Sequence, residues 1–161
     1  MQPADLLITL AQLGVAIAGF SGIVVVLAKP AQGTSPVDRT LLSVLLVSSS
    51  GVVIWALTPL VLLSARVSEQ TTWIVSSAGW SIQQALALAR RAYQLRRSGE
   101  SAGNLTLAVP LALGGSSALV LQIANVFWIV AAWPHLVALV WWVVLSFIIF
   151  LRLMHAGDSD L

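Results

Sequence analysis

The sequence predicts an all-α integral membrane helical bundle with five transmembrane helices, four being the alternative count. Three observations carry that prediction. Of 161 residues, 58% are hydrophobic and 9% charged, whereas about a quarter of a soluble domain is Asp, Glu, Lys or Arg. Eight basic and six acidic side chains are too few to clothe a water-facing surface. Apolar stretches long enough to cross a bilayer recur between short polar links. The basic residues then fall almost entirely on one side of the membrane that those stretches define.

The first helix is expected over about residues 4–28. At about 1.5 Å per residue it crosses a hydrocarbon core of about 30 Å. Its start carries Asp5 and no Lys or Arg, so it reads as a retained helix and not as a signal peptide. Lys29-Pro30 stops it, and a turn-rich link follows. The second helix is expected over 41–65, with Asp38 and Thr40 as caps, Arg66 at its end and a kink at Pro59. The third covers 71–97 and emerges from its apolar part as Arg90, Arg91, Tyr93, Arg96 and Arg97. Residues 98–104, Ser-Gly-Glu-Ser-Ala-Gly-Asn, form a flexible linker.

The fourth helix spans 105–131 and contains Pro110 and Gly114-Gly115-Ser116-Ser117. The fifth spans 136–154 after a tight corner at Trp133-Pro134-His135, which makes the last two helices an antiparallel hairpin. A single helix over both would be about 75 Å long, too long for one crossing. The whole chain, 1–161, is expected to be one transmembrane domain.

Five crossings leave Arg66 alone on the side of the N-terminus, and place Lys29, Arg39, Arg90, Arg91, Arg96, Arg97 and Arg152 opposite. The positive-inside rule puts the N-terminus outside and the C-terminus in the cytoplasm. Trp73 and Trp133 are expected near the outer interface.

The composition excludes several chemistries. There is no cysteine, hence no disulfide or thiolate site. Asp5, Asp38, Glu69, Glu100, Asp158 and Asp160 all lie at helix ends or in links, so no intramembrane carboxylate is present to couple protons. His135 and His155 are expected on opposite sides of the membrane. No catalytic, cofactor-binding or metal-binding residue is assigned, and nucleic acid is not an expected partner because so few cations are available for phosphate contacts.

Uncharged polar groups remain. Ser48, Ser49 and Ser50 in the second helix and Gln83 and Gln84 in the third lie near mid-depth, and Gln122 and Asn125 lie in the fourth. Gly114, Ala118, Gln122 and Asn125 share one helical face. These groups are either interhelical hydrogen-bond partners or the lining of a pore. Gly14, Ala18 and Gly22 form a small-residue ridge that lets another helix approach.

The segment Gly14 to Leu27, above all Ala18-Gly19-Phe20-Ser21-Gly22-Ile23-Val24-Val25, resembles the opening helix of small multi-pass bacterial inner-membrane proteins of unassigned function. The resemblance covers about the first 30 residues. It implies a small protein of the bacterial inner membrane and carries over no activity or site residue.

Arg90, Arg91, Arg96 and Arg97 anchor topology or contact anionic lipid headgroups or an acidic partner. The expected function is a homo-oligomeric channel or pore for a small solute or ion. The alternative is a non-catalytic scaffold or accessory subunit, packed through its glycine ridge and contacting partners by its arginine-rich face. The lipid bilayer is the surrounding medium in both.

Overall fold

In the computed structural model the chain is built from helices, and among the described residues there is no strand. The structure describes residues 2–28, 36–98 and 105–155, with side chains over 2–23, 42–90, 93, 113–152 and 154. The helices are α1 (Pro3–Ala28), α2 (Pro36–Ser64), α3 (Glu69–Ser98), α4 (Leu105–Ala124) and α5 (Ala132–His155), with a π-helical turn at Asn125–Ile129 between the last two. Five helices therefore stand where five were expected. Among the described residues, three segments are long and apolar enough to cross a membrane: Pro3–Ile23, Leu42–Ser64 and Ala132–Arg152. A shorter apolar stretch covers Leu113–Ile129. In α3 the serines and glutamines that break the apolar run lower its hydropathy.

Three boundaries differ from expectation. Helix α2 begins at Pro36 and not at 41, so Asp38 and Thr40, expected as its caps, fall within it; proline at a helix start is tolerated because its missing N–H has no intrahelical acceptor there. The fourth helix does not continue as an α-helix to 131 but widens into the π-turn after Ala124. The corner lies at Val130 and Ala131, not at Trp133-Pro134-His135, because α5 has already begun at Ala132. Pro134 falls in the first turn of α5, where an N–H has no intrahelical acceptor and a proline is tolerated. Expectations at residues 29–35 and 99–104, and those resting on the side chains of Arg91, Arg96, Arg97, Pro110 and His155, lie outside the described residues.

The chain divides into two compact units. The first comprises Met1–Leu60 and Trp142–Leu161. Here α1 packs on α2 at Gly14, where an added Cβ would lie 2.9 Å from the Ser49 carbonyl oxygen and 2.9 Å from Val53 Cγ2. Helix α2 meets α5 at Gly51, over which the Trp142 ring lies so closely that a Cβ would fall 2.0 Å from Cζ3. Leu45 and Ile149 form a buried pair flanked by Ile17, Val44, Leu145 and Phe150. Helix α2 continues through the buried Pro59. The Thr58 hydroxyl donates to the Ile54 carbonyl at 2.8 Å, a side-chain bond one turn back of the kind that accompanies proline in membrane helices.

The second unit is Val61–Trp141. It opens on the close of α2, where Arg66 N–H donates to Leu63 O at 3.0 Å and Val67 N–H to Leu62 O at 3.1 Å. Those two bonds with Arg66 at φ 60° make a Schellman closure, normally built on glycine. Helix α3 packs on α4 and on the π-turn. Gly114 lies under Trp141, where a Cβ would come 2.0 Å from Cζ2.

Both units bury uncharged polar side chains beside their apolar ones and expose large apolar side chains. Ser48, Ser49, Thr72, Ser76, Ser77, Gln84, Gln122, Asn125 and Ser146 are buried, while Phe20, Val47, Val61, Ile82, Val120 and Phe147 are exposed. Helix α3 makes the point locally: its inward face carries Thr72, Ser76, Ser77 and Gln84, and its outward face Val75, Ile82 and Leu86. Exposed large apolar side chains on this scale suit contact with lipid tails.

Candidate functional site: a buried polar cluster at the α4–α5 corner

The densest group of buried polar side chains lies in the second unit, where α3, the end of α4 and the start of α5 come together. Its centre is Asn125, the first residue of the π-turn, which is 0% exposed. The Asn125 carboxamide grips Ala131 from both sides: Nδ2 donates to the Ala131 carbonyl at 3.0 Å, and Oδ1 accepts the Ala131 N–H at 2.9 Å. The second proton of Nδ2 goes to Ser77 Oγ of α3 at 2.8 Å. One side chain thus closes the corner and ties it to the neighbouring helix.

The corner needs that clamp because of its backbone. The Val130 N–H reaches back to Asn125 O at 3.1 Å, closing the wide turn, and Val130 itself adopts φ 47°, ψ 60°. A β-branched residue in the left-handed region is sterically disfavoured. It is held there by the bonds on either side.

One turn earlier, Gln122 is also fully buried, and its Nε2 donates to the Pro134 carbonyl of α5 at 2.9 Å. The Pro134 carbonyl thus gains a donor from another helix. Among the described residues the Gln122 Oε1 acceptor has no hydrogen-bond partner, and neither do the hydroxyls of Thr72 and Ser76 on α3. The Trp73 and His135 rings face each other with centroids 6.3 Å apart, tilted by 49°. Trp73 Nε1 donates to Glu69 Oε1 at 3.3 Å. Trp73 is buried, and the indole N–H is taken by Glu69, which lies one turn before it at the start of α3. Trp133 is exposed, as are Phe127 and Trp128, the last to 78%.

The remaining sequence-predicted residues are distributed as follows. Ala118 and Gln122 are buried on the inward face of α4 and Asn125 at the start of the π-turn, with Gly114 beneath Trp141. Gln84 is buried beside Gly115, whose added Cβ would lie 3.3 Å from Nε2; Gln83 is half-buried. In the first unit, Ser48 and Ser49 are buried and Ser50 is exposed. Ser48 Oγ donates to Leu45 O at 3.0 Å and lies 2.7 Å from Ser146 Oγ of α5. Each hydroxyl carries one proton, so either serine can be the donor of that pair. Of the glycine ridge, Gly14 contacts α2, Ala18 is half-buried, and Gly22 is exposed with open space where a Cβ would be. Arg90 is exposed.

Ser77 and Ser146, partners in two of these interhelical bonds, were not singled out from sequence. Their only sequence signal is a hydroxyl within an apolar helix, shared by many serines that bond their own backbone, as Ser49 does to Leu45 O at 2.8 Å. Compared with family models, curated proteins and solved structures, the chain matches none.

Proposed function

We propose that the chain is a five-span integral membrane protein acting as a non-catalytic scaffold or accessory subunit. The observation that carries this reading is that buried carboxamides and hydroxyls bond to neighbouring helices and to the α4–α5 corner inside the fold. Asn125, Gln122 and Ser48 direct their polar atoms at Ser77, Ala131, Pro134, Leu45 and Ser146. Groups engaged in this way hold helices in register, a common use of uncharged polar residues in lipid. Seven basic residues on one side against one on the other favour the N-terminus outside and the C-terminus in the cytoplasm. The opening-helix resemblance favours the bacterial inner membrane. The cytoplasmic end of α3, from Arg90 to Arg97, is then the contact for anionic lipid or an acidic partner.

Co-purification from membranes tests the reading. A stoichiometric complex with an unrelated membrane protein, lost when Arg90, Arg91, Arg96 and Arg97 are replaced by Ala, is the expected result. A protein recovered free of partners that conducts in proteoliposomes would refute it.

One observation favours a second reading, a homo-oligomeric channel. Thr72 Oγ1, Ser76 Oγ and Gln122 Oε1 are buried without partners, and such groups replace hydration where a solute passes. Flux in proteoliposomes that falls on Thr72→Val and Ser76→Ala would support it.

A further inference from the structure

From the outward face of α1 we infer that two copies of this chain associate in the membrane through α1, with the Gln12 carboxamides paired across the contact. The inference rests on α1 being a membrane span. Gln12 is the only Asn or Gln within the three segments apolar and long enough to cross, and its side chain is exposed. Among the described residues it has no hydrogen-bond partner. Lipid tails offer it neither donor nor acceptor, so leaving it against them is unfavourable. A carboxamide carries both functions and is self-complementary. A second Gln12 satisfies it without calling on any other group.

The surroundings fit a close helix pair. Thr9, Gln12, Ala16, Gly19 and Ile23 are all exposed and follow one another at steps of three, four, three and four. At about 100° per residue they fall within an arc of roughly 80°, the seam of a left-handed helix pair. Opposite that arc lie Leu7, Leu10, Ala11 and Gly14, which are buried. Gly19 has open space where a Cβ would stand, so a neighbouring backbone can come near. Beside the seam, Ile8, Gln12, Val15 and Ala16 line a shallow groove with Val53 and Leu57 of α2, room for flanking side chains of the second copy. Asp5, one step before Thr9, stands in the first turn, where water and salt screen its repulsion from the second Asp5. The ridge Gly14–Ala18–Gly22 is not this surface, since Gly14 is already taken by α2.

The chain has no cysteine, so single-cysteine variants give a clean test in native membranes. Thr9→Cys, Gln12→Cys, Ala16→Cys and Gly19→Cys should form covalent dimers on mild oxidation. Leu10→Cys, Ala11→Cys and Ala18→Cys should not. In fluorescence energy transfer between labelled copies, Gln12→Ala should weaken association roughly three- to twenty-fold and Gln12→Asn should retain it. Dimers peaking at Ala18, dimers at no position, or association indifferent to Gln12→Ala would each overturn the inference. Alkaline extraction of the same membranes separates the two failures. Release of the protein would refute the membrane span itself, whereas a retained protein without cross-links would refute only the pairing.

Discussion

Replacing Asn125 with Leu keeps the approximate volume of a fully buried side chain and removes three hydrogen bonds at once: to Ser77 Oγ at 2.8 Å, to Ala131 O at 3.0 Å and from Ala131 N–H at 2.9 Å. Each bond contributes about 1 kcal/mol net, and a donor or acceptor left buried without a partner costs about 1–3 kcal/mol. Ala131 is half-buried, so part of its loss is recovered by water or by backbone relaxation. Val130, no longer held at φ 47°, sheds some of the about 1–2 kcal/mol that a left-handed residue costs. The expected net loss is about 2–5 kcal/mol. Unfolding of the detergent-solubilised protein by a denaturing surfactant, followed by helical circular dichroism, measures it. Ser77→Ala and the double variant complete a cycle, in which Asn125 and Ser77 should couple by about 0.6–1.7 kcal/mol. A loss under about 1 kcal/mol for Asn125→Leu, or additivity in the cycle, would refute the view that this side chain closes the corner.

Gly51→Ala and Gly114→Ala should each destabilise by at least about 1–3 kcal/mol, because the new methyl would fall 2.0 Å from Trp142 Cζ3 or Trp141 Cζ2; thermal unfolding in detergent reads the loss. Gly22→Ala, with nothing within 4 Å of the added carbon, should not lower the same midpoint and should raise stability by up to about 1 kcal/mol, the usual preference for Ala over Gly inside a helix. Val130→Gly should raise stability by up to about 1 kcal/mol, the left-handed strain relieved less the extra unfolded-state entropy of glycine. In the Asn125→Leu background that gain should shrink. Ser48→Ala and Ser146→Ala should couple by about 0.6–1.7 kcal/mol across their 2.7 Å contact, and a double-mutant cycle in surfactant unfolding checks it.

The positions of the five helices were legible because apolar runs and breakers are local signals, read within a window of the chain. The inward face of α4 was legible for the same reason, since Ala118, Gln122 and Asn125 repeat at helical spacing. The π-turn was not. A wide turn has no periodic signature, and its one mark, an asparagine near a helix end, is shared with many asparagines that cap nothing. The corner was placed at Pro134 because proline stops a helix, but proline is equally at home in a first turn, and the backbone chose that use.

The sequence alone determined the class of element: few charges and long apolar runs leave little besides helices, three of them among the described residues long and apolar enough to cross a membrane. Tertiary structure decided which polar groups meet. Ser48 finds Ser146 from 98 residues away, and Asn125 finds Ser77 from 48, and no window along the chain holds both ends of such a pair. It also decided that Gly14 lies against a neighbouring helix while Gly22, on the same ridge, stands in the open. Two glycines are chemically alike, and only the approach of another backbone tells them apart.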